Sequence, residues 1–142
     1  MKKKGIINSK LMGALAGLGH TDSIVITDAG LPIPRECETI DLALVDGVPG
    51  FLETVKAVLN EIIVEEAVIF KPMKEANPRM YDELEKIMPK QKKRLLEGED
   101  FIEAVKNSKI VVRTAEFSPC CNTILYSASG GKEMCEQLDV SF

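Results

Sequence analysis

The sequence predicts an α/β fold: a single domain, residues 1–142, on a mixed β-sheet flanked by helices. Two observations predict it. Helix and strand patterns interleave along the chain, in the order helix, strand, strand, helix, strand, helix, helix, strand, strand. The chain also has 142 residues, no internal repeat, no low-complexity segment and no linker that divides it. A chain of this length buries about 68–70% of its unfolded surface and needs no disulfide or metal to fold.

Each element has a local reason. Asn8-Ser9 is a capping pair, and Leu11, Ala14, Leu15 and Leu18 then recur at helical spacing up to Gly19, a suitable stop. Ser23 to Thr27 is a β-branched run that reads as a buried strand, broken by Asp28-Ala29-Gly30. Leu31-Pro32-Ile33-Pro34 must be extended. Ile40 to Val45 reads as a second strand, closed by Asp46-Gly47-Val48-Pro49. Phe51 to Leu59 carries a helical stripe, and Val64 to Phe70 is again strand-like. Asn77-Pro78 opens a helix with proline in its first turn; Met80, Leu84 and Ile87 face inward, and Pro89 ends it. Lys86, Lys90, Lys92, Lys93 and Arg94 read as a solvated helical face. Asp100 to Asn107 is a short helix, and Ile110 to Arg113 and Asn122 to Ser127 are strands joined through the turn at Ser118-Pro119-Cys120-Cys121. Lys132 to Leu138 has the pattern of a short terminal helix.

Composition narrows the function. The formal net charge of −4 argues against a nucleic-acid partner, because phosphate binding needs a cationic face. Lys2-Lys3-Lys4 reads as a solvated tip. No apolar run reaches the roughly 18 residues of a membrane span, and the basic start lacks the apolar core of a signal peptide. Cys37, Cys120, Cys121 and Cys135 contain no C-x-x-C pair, and one histidine cannot complete a usual Cys/His zinc set. The expectation is a reduced, cytoplasmic protein without a metal. Nucleotide-loop, dinucleotide, nucleophile-elbow and metalloprotease motifs are absent.

His20, the one histidine, stands between the first helix pattern and the first strand pattern, and Asp28 stands where that strand ends. Both are rim positions, which predicts an imidazole and a carboxylate as neighbours at one sheet edge, suited to acid–base chemistry on a small polar substrate. Asp22 is close enough in sequence to orient the ring. The bland readings are a histidine at a helix C-terminus and an aspartate capping its own turn. Glu116 and Asn122 flank the Ser-Pro turn, and Cys120-Cys121 reads as a pair of buried thiols.

Four stretches carry a resemblance: Gly19-His20-Thr21-Asp22, Asp28 to Pro34, Ile40 to Leu44 and Gly47 to Phe51. With Val112-Arg113-Thr114 through Ser118-Pro119 and Asn122, they resemble the D-ribose pyranase family, related to the L-fucose mutarotases. The likeness covers most of residues 1 to 127. It implies a three-layer α/β/α fold and a cytoplasmic, cofactor-free and metal-free isomerase that interconverts the pyranose and furanose forms of D-ribose. It also implies a homo-oligomeric ring, commonly a decamer, with sites shared between subunits. By resemblance His20 is the proton donor, and Asp28 and Asn122 bind the sugar. Two departures stand out. Gly98 occupies the place of a second family histidine, and Cys120 occupies that of the tyrosine in Tyr-x-Asn, which makes Cys120 the substrate contact there. These losses keep two alternatives open: a mutarotase for another monosaccharide such as L-fucose, or a non-catalytic sugar-binding protein on the same scaffold.

Overall fold

A computed structural model describes residues 1–128 and 137–142. The predicted helix at Lys132 to Leu138 lies mostly outside the described residues.

Six strands form one sheet in the order β2-β5-β1-β6-β3-β4. They are β1 (Ser23–Thr27), β2 (Thr39–Asp41), β3 (Val64–Phe70), β4 (Lys92–Leu96), β5 (Ile110–Arg113) and β6 (Thr123–Ser127). β1, β2 and β5 run parallel, as do β3 and β4. β6 lies between β1 and β3 and is antiparallel to both. Five strands therefore end at one edge of the sheet, and β6 starts there.

Helices cover both faces, giving the three-layer α/β/α arrangement. On one face α1 (Ser9–Ala16), α2 (Phe51–Leu59), α3 (Met73–Ala76) and α4 (Pro78–Ile87) pack Leu11, Leu15, Phe51, Val55, Val58, Met73 and Leu84 against Ile24, Ile26, Ile69, Val112 and Leu125. On the other face α5 (Gly98–Lys106) packs Phe101 and Val105 against Val25, Val68, Val111 and Ile124. Pleating explains the division: Ile24 and Ile26 face one layer, and Val25 between them faces the other. Burial on both faces explains why β1 is apolar without a break.

Several boundaries differ from the sequence reading. α1 stops at Ala16, with Gly17 as its cap, two residues before the expected Gly19. Gly19 instead gives its N–H to the Asp22 carboxylate at 2.7 Å. β2 ends at Asp41 and does not reach Val45. The Asp41 carboxylate accepts the Ala43 N–H at 3.0 Å and turns the chain. The basic stretch taken as a helical face contains β4, an edge strand. Lys92 and Arg94 pair with Glu66 of β3, and Lys93 with Glu85 of α4. A charged edge strand discourages pairing with another sheet. The four-residue α3 was not foreseen, and α5 begins two residues before the expected Asp100.

Phe101 is fully buried and meets Phe70 at a ring-centroid distance of 4.8 Å. It is the largest side chain holding α5 to the sheet. Phe101→Ala is expected to cost about 3–5 kcal/mol of stability, measured by denaturant unfolding. A cost under about 1 kcal/mol would mean that α5 is held by other contacts.

Candidate active site

The carboxyl ends of the parallel strands carry an open cleft of about 440 Å³. Asp28, Ala29, Gly30, Leu31 and Pro32 line it from the end of β1, and Glu116, Phe117, Ser118, Pro119, Cys120 and Asn122 from the β5–β6 connection. Open α/β sheets bind ligands at this edge, because connecting loops diverge there and leave a crevice. The volume suits a small polar molecule.

Asp28 is the charged centre of the cleft and is 9% exposed. Its Oδ1 accepts the N–H groups of Gly30 and Leu31 at 3.0 and 2.9 Å. Its Oδ2 accepts from the Asn122 amide nitrogen at 3.3 Å, and its own N–H donates to the Asn122 Oδ1 at 3.2 Å. The bland turn-capping role of Asp28 is thus real and coexists with a place in the cleft. Burial pushes its carboxyl above the usual range, outweighing the N–H groups of Gly30 and Leu31 and the Asn122 amide, which favour the charged form. Asn122 is 2% exposed, and both ends of its amide address Asp28. Each amide end keeps a second hydrogen-bonding direction.

Cys120 is half-buried at the cleft with φ +63. Burial, then the nearby Asp28 charge, raises its thiol, so it stands as a neutral, weak donor. Burial pushes Cys121 up to about 11, and its Sγ lies within reach of Ser118 and Asn77. Cys121 is therefore an inert core thiol. Burial would raise the Glu116 carboxyl, but the Ser118 hydroxyl and N–H and the Phe51 N–H together hold it below its usual value. Glu116 thus ties the start of α2 to the cleft wall.

A second cleft, about 660 Å³, adjoins the first and shares Leu31, Pro32 and Phe70 with it. Gly98 and Glu99 line it where α5 begins. Gly98 has φ +55, and a Cβ there would meet nothing within 4 Å.

His20 is not in this cleft, and here the sequence reading needs correction. It precedes β1 while Asp28 follows it, so the two sit at opposite ends of a five-residue strand, roughly 17 Å of extended chain. Each residue stands at a rim of the sheet, but the length of β1 sets the two rims apart. Asp22 does not orient the ring either. Its carboxylate takes the Gly19 N–H and pairs with Lys109 at 2.9 Å, and those partners hold it below the usual range. The side chain beside His20 is Glu65, whose Oε1 lies 3.5 Å from Nε2. Sequence reasoning passed over Glu65. The available signal was a pair of carboxylates, Glu65-Glu66, at the head of an otherwise apolar strand.

Among the described residues no group of three His, Cys, Asp or Glu side chains converges as a metal site, and no helix is long and apolar enough to cross a membrane.

A three-layer α/β/α sheet with a carboxylate–carboxamide pair in a small cleft at its carboxyl edge defines a binder of small polar molecules. The chain belongs to the RbsD / FucU transport protein family, whose model matches residues 1–129. It is 48% identical to a D-ribose pyranase of Geobacillus thermodenitrificans over 127 residues, 89% of this chain and 96% of that protein. It is 43% identical to a D-ribose pyranase of Clostridium perfringens, again over 127 residues, 89% of this chain and 97% of that one. The structure of Bacillus subtilis RbsD complexed with D-ribose is similar with a TM-score of 0.86 and 42% identity, covering 90% of this chain and 98% of that one. A fucose mutarotase from Streptococcus pneumoniae, in complex with L-fucose, shares the fold at a TM-score of 0.75 and 22% identity, covering 86% of this chain and 93% of its own.

The buried carboxyl has a consequence for stability. Above pH 3.8 the unfolded chain gives up the Asp28 proton before the folded chain does. Asp28 therefore subtracts stability as pH rises from there to its raised native value, and the loss then levels off. Stability of Asp28→Asn relative to wild type, from urea melts at each pH, is expected to climb across that window and stay flat above it. A difference that is constant from about pH 3 to 7 contradicts the raised carboxyl.

Proposed function

We propose that this chain is a D-ribose pyranase, interconverting the pyranose and furanose forms of D-ribose without a cofactor. The observation that carries the reading is the Asp28–Asn122 pair, set in a sugar-sized cleft of a chain that matches D-ribose pyranases over nine-tenths of its length. Two carboxylate oxygens and a carboxamide match the hydroxyls of a pentose.

The chemistry needs one acid and one base. His20, protonated, gives a proton to the ring oxygen as the bond from that oxygen to the anomeric carbon breaks. Asp28 takes the proton of the anomeric hydroxyl, and the open-chain aldehyde forms. A different hydroxyl then attacks the aldehyde carbon and loses its proton to His20, while Asp28 returns a proton to the carbonyl oxygen. The carboxyl raised by burial is a better proton acceptor than a surface aspartate. Positioned groups of this kind contribute typically ~10²–10⁴-fold. Cys120 lines the cleft as a sugar contact, and Asn122 holds Asp28 toward the substrate.

His20 and Asp28 cannot serve one sugar from a single chain, because β1 separates them. The proposed site therefore takes His20 from one copy and the Asp28 cleft from the next. A head-to-tail arrangement closes into a ring when the rotation between neighbours divides a full turn, and a closed ring gives every copy both neighbours. The assembly, of which a decamer is one form, is required by the mechanism, whereas a site complete in one chain would need no partner.

Saturation-transfer NMR on D-ribose tests the activity: wild type is expected to speed pyranose–furanose exchange and His20→Ala to lose at least ~10²-fold. Exchange no faster than in buffer, or acceleration of L-fucose exchange alone, rules out the D-ribose reading. Mixing tests the shared site. His20→Ala and Asp28→Asn are each expected to be inactive, and a refolded equal mixture to regain about a quarter of wild-type activity by random pairing of neighbours. A mixture as inactive as its components excludes a site built from two copies.

A further inference from the structure

We propose that Glu65 is the positioning residue for His20, its carboxylate holding the imidazole at Nε2 and leaving Nδ1 to address the sugar. The inference rests on the pyranase reading and deepens it.

Three observations converge. The first is proximity. Glu65 Oε1 lies 3.5 Å from His20 Nε2, and Glu65 is the only ion-pair partner of His20 among the described residues.

The second is how Glu65 comes to be there. β3 pairs Val64 with Ser127 and Glu66 with Tyr126, so Glu65 is an extra residue with no partner on β6. In an unbroken pleat Glu65 would share the face of Ala67 and Ile69, which lie in the apolar layer under α2. The bulge inverts the alternation. Val64 joins that layer, and Glu65 is freed at the end of the sheet beside His20. Bulges re-aim side chains in this way and are enriched next to active sites. A carboxylate placed here only for solubility would not need the irregularity.

The third is the loop that carries His20. Thr21, a β-branched residue, adopts φ +67, a conformation that such residues rarely take. The surroundings enforce it. The Thr21 N–H donates to the Ser127 carbonyl at 3.0 Å, the Asp22 carbonyl accepts the Ser127 N–H at 2.8 Å, and the Asp22 carboxylate clasps the Gly19 N–H and Lys109. The backbone of His20 is therefore fixed, but its side chain is 55% exposed and its ring can still turn. Glu65 supplies what the backbone does not. A carboxylate on one imidazole nitrogen sets ring orientation and decides which nitrogen is free to exchange protons. The proton that reaches the ring oxygen then leaves from Nδ1, and the proton of the attacking hydroxyl returns to the same nitrogen.

The test compares Glu65→Ala and Glu65→Gln, both at a half-exposed position that packing does not require. Outer partners of this kind typically change activity by 10–100-fold. Glu65→Ala is expected to lower kcat for ribose about tenfold with KM within about twofold of wild type. Glu65→Gln, whose amide oxygen is able to accept from Nε2–H, is expected to recover most of kcat. A second readout is independent of activity. His20 is the only histidine, so labelling imidazole carbon yields a single ring signal. Its order parameter is expected to fall in Glu65→Ala and to persist in Glu65→Gln. An unchanged kcat, an effect confined to KM, or equal ring order in all three proteins overturns the role of Glu65. If wild type itself fails to accelerate exchange, the pyranase reading fails, while ring order still decides whether Glu65 holds His20.

Discussion

The antiparallel strand β6 is the constraint on which both ends of the functional apparatus depend. It is inserted between β1 and β3, and each of its ends fastens a different part of the machinery. Where it begins, Asn122 locks the Asp28 backbone and carboxylate together. Where it ends, Ser127 accepts from Thr21, donates to Asp22, and pairs with Val64 just before the bulge. A parallel strand in its place would need a long crossover, and the short Ser118–Cys121 turn from β5 would not suffice.

Most of the fold was legible because the patterns were local. Ser23–Thr27, Phe51–Leu59 and Val64–Phe70 match their observed limits, since β-branched runs and a helical stripe with clear stops leave little choice. β4 was missed for a physical reason. An edge strand buries little, so Lys92-Lys93-Arg94 shows solubility rather than the apolar content that identifies inner strands. β2 was overextended because Leu42 to Val45 is apolar enough for a strand, and the turn is imposed by the Asp41 side chain.

The candidate site divides in the same way. Asp28 and Asn122 were picked out as separate residues, and the structure joins them across 94 positions of sequence. That pairing depends on strand order, which no local pattern encodes. The same ignorance of distance made His20 and Asp28 look like neighbours, and it credited Asp22 with a task for which Lys109 had already claimed it. Glu65 was hidden more deeply, because the register shift that frees it becomes visible only once β6 is laid beside β3.

The placement of His20 and Asp28 at the two ends of β1 also bears on how a cell sets the output of such a protein. On the shared-site reading, a lone chain carries half of two sites and a whole one of neither. Output would then rise more steeply than the number of chains at low abundance and become proportional to it only when assembly is complete. Newly made chains would stay silent until they meet their neighbours, so expression level would act as a threshold as well as a dose.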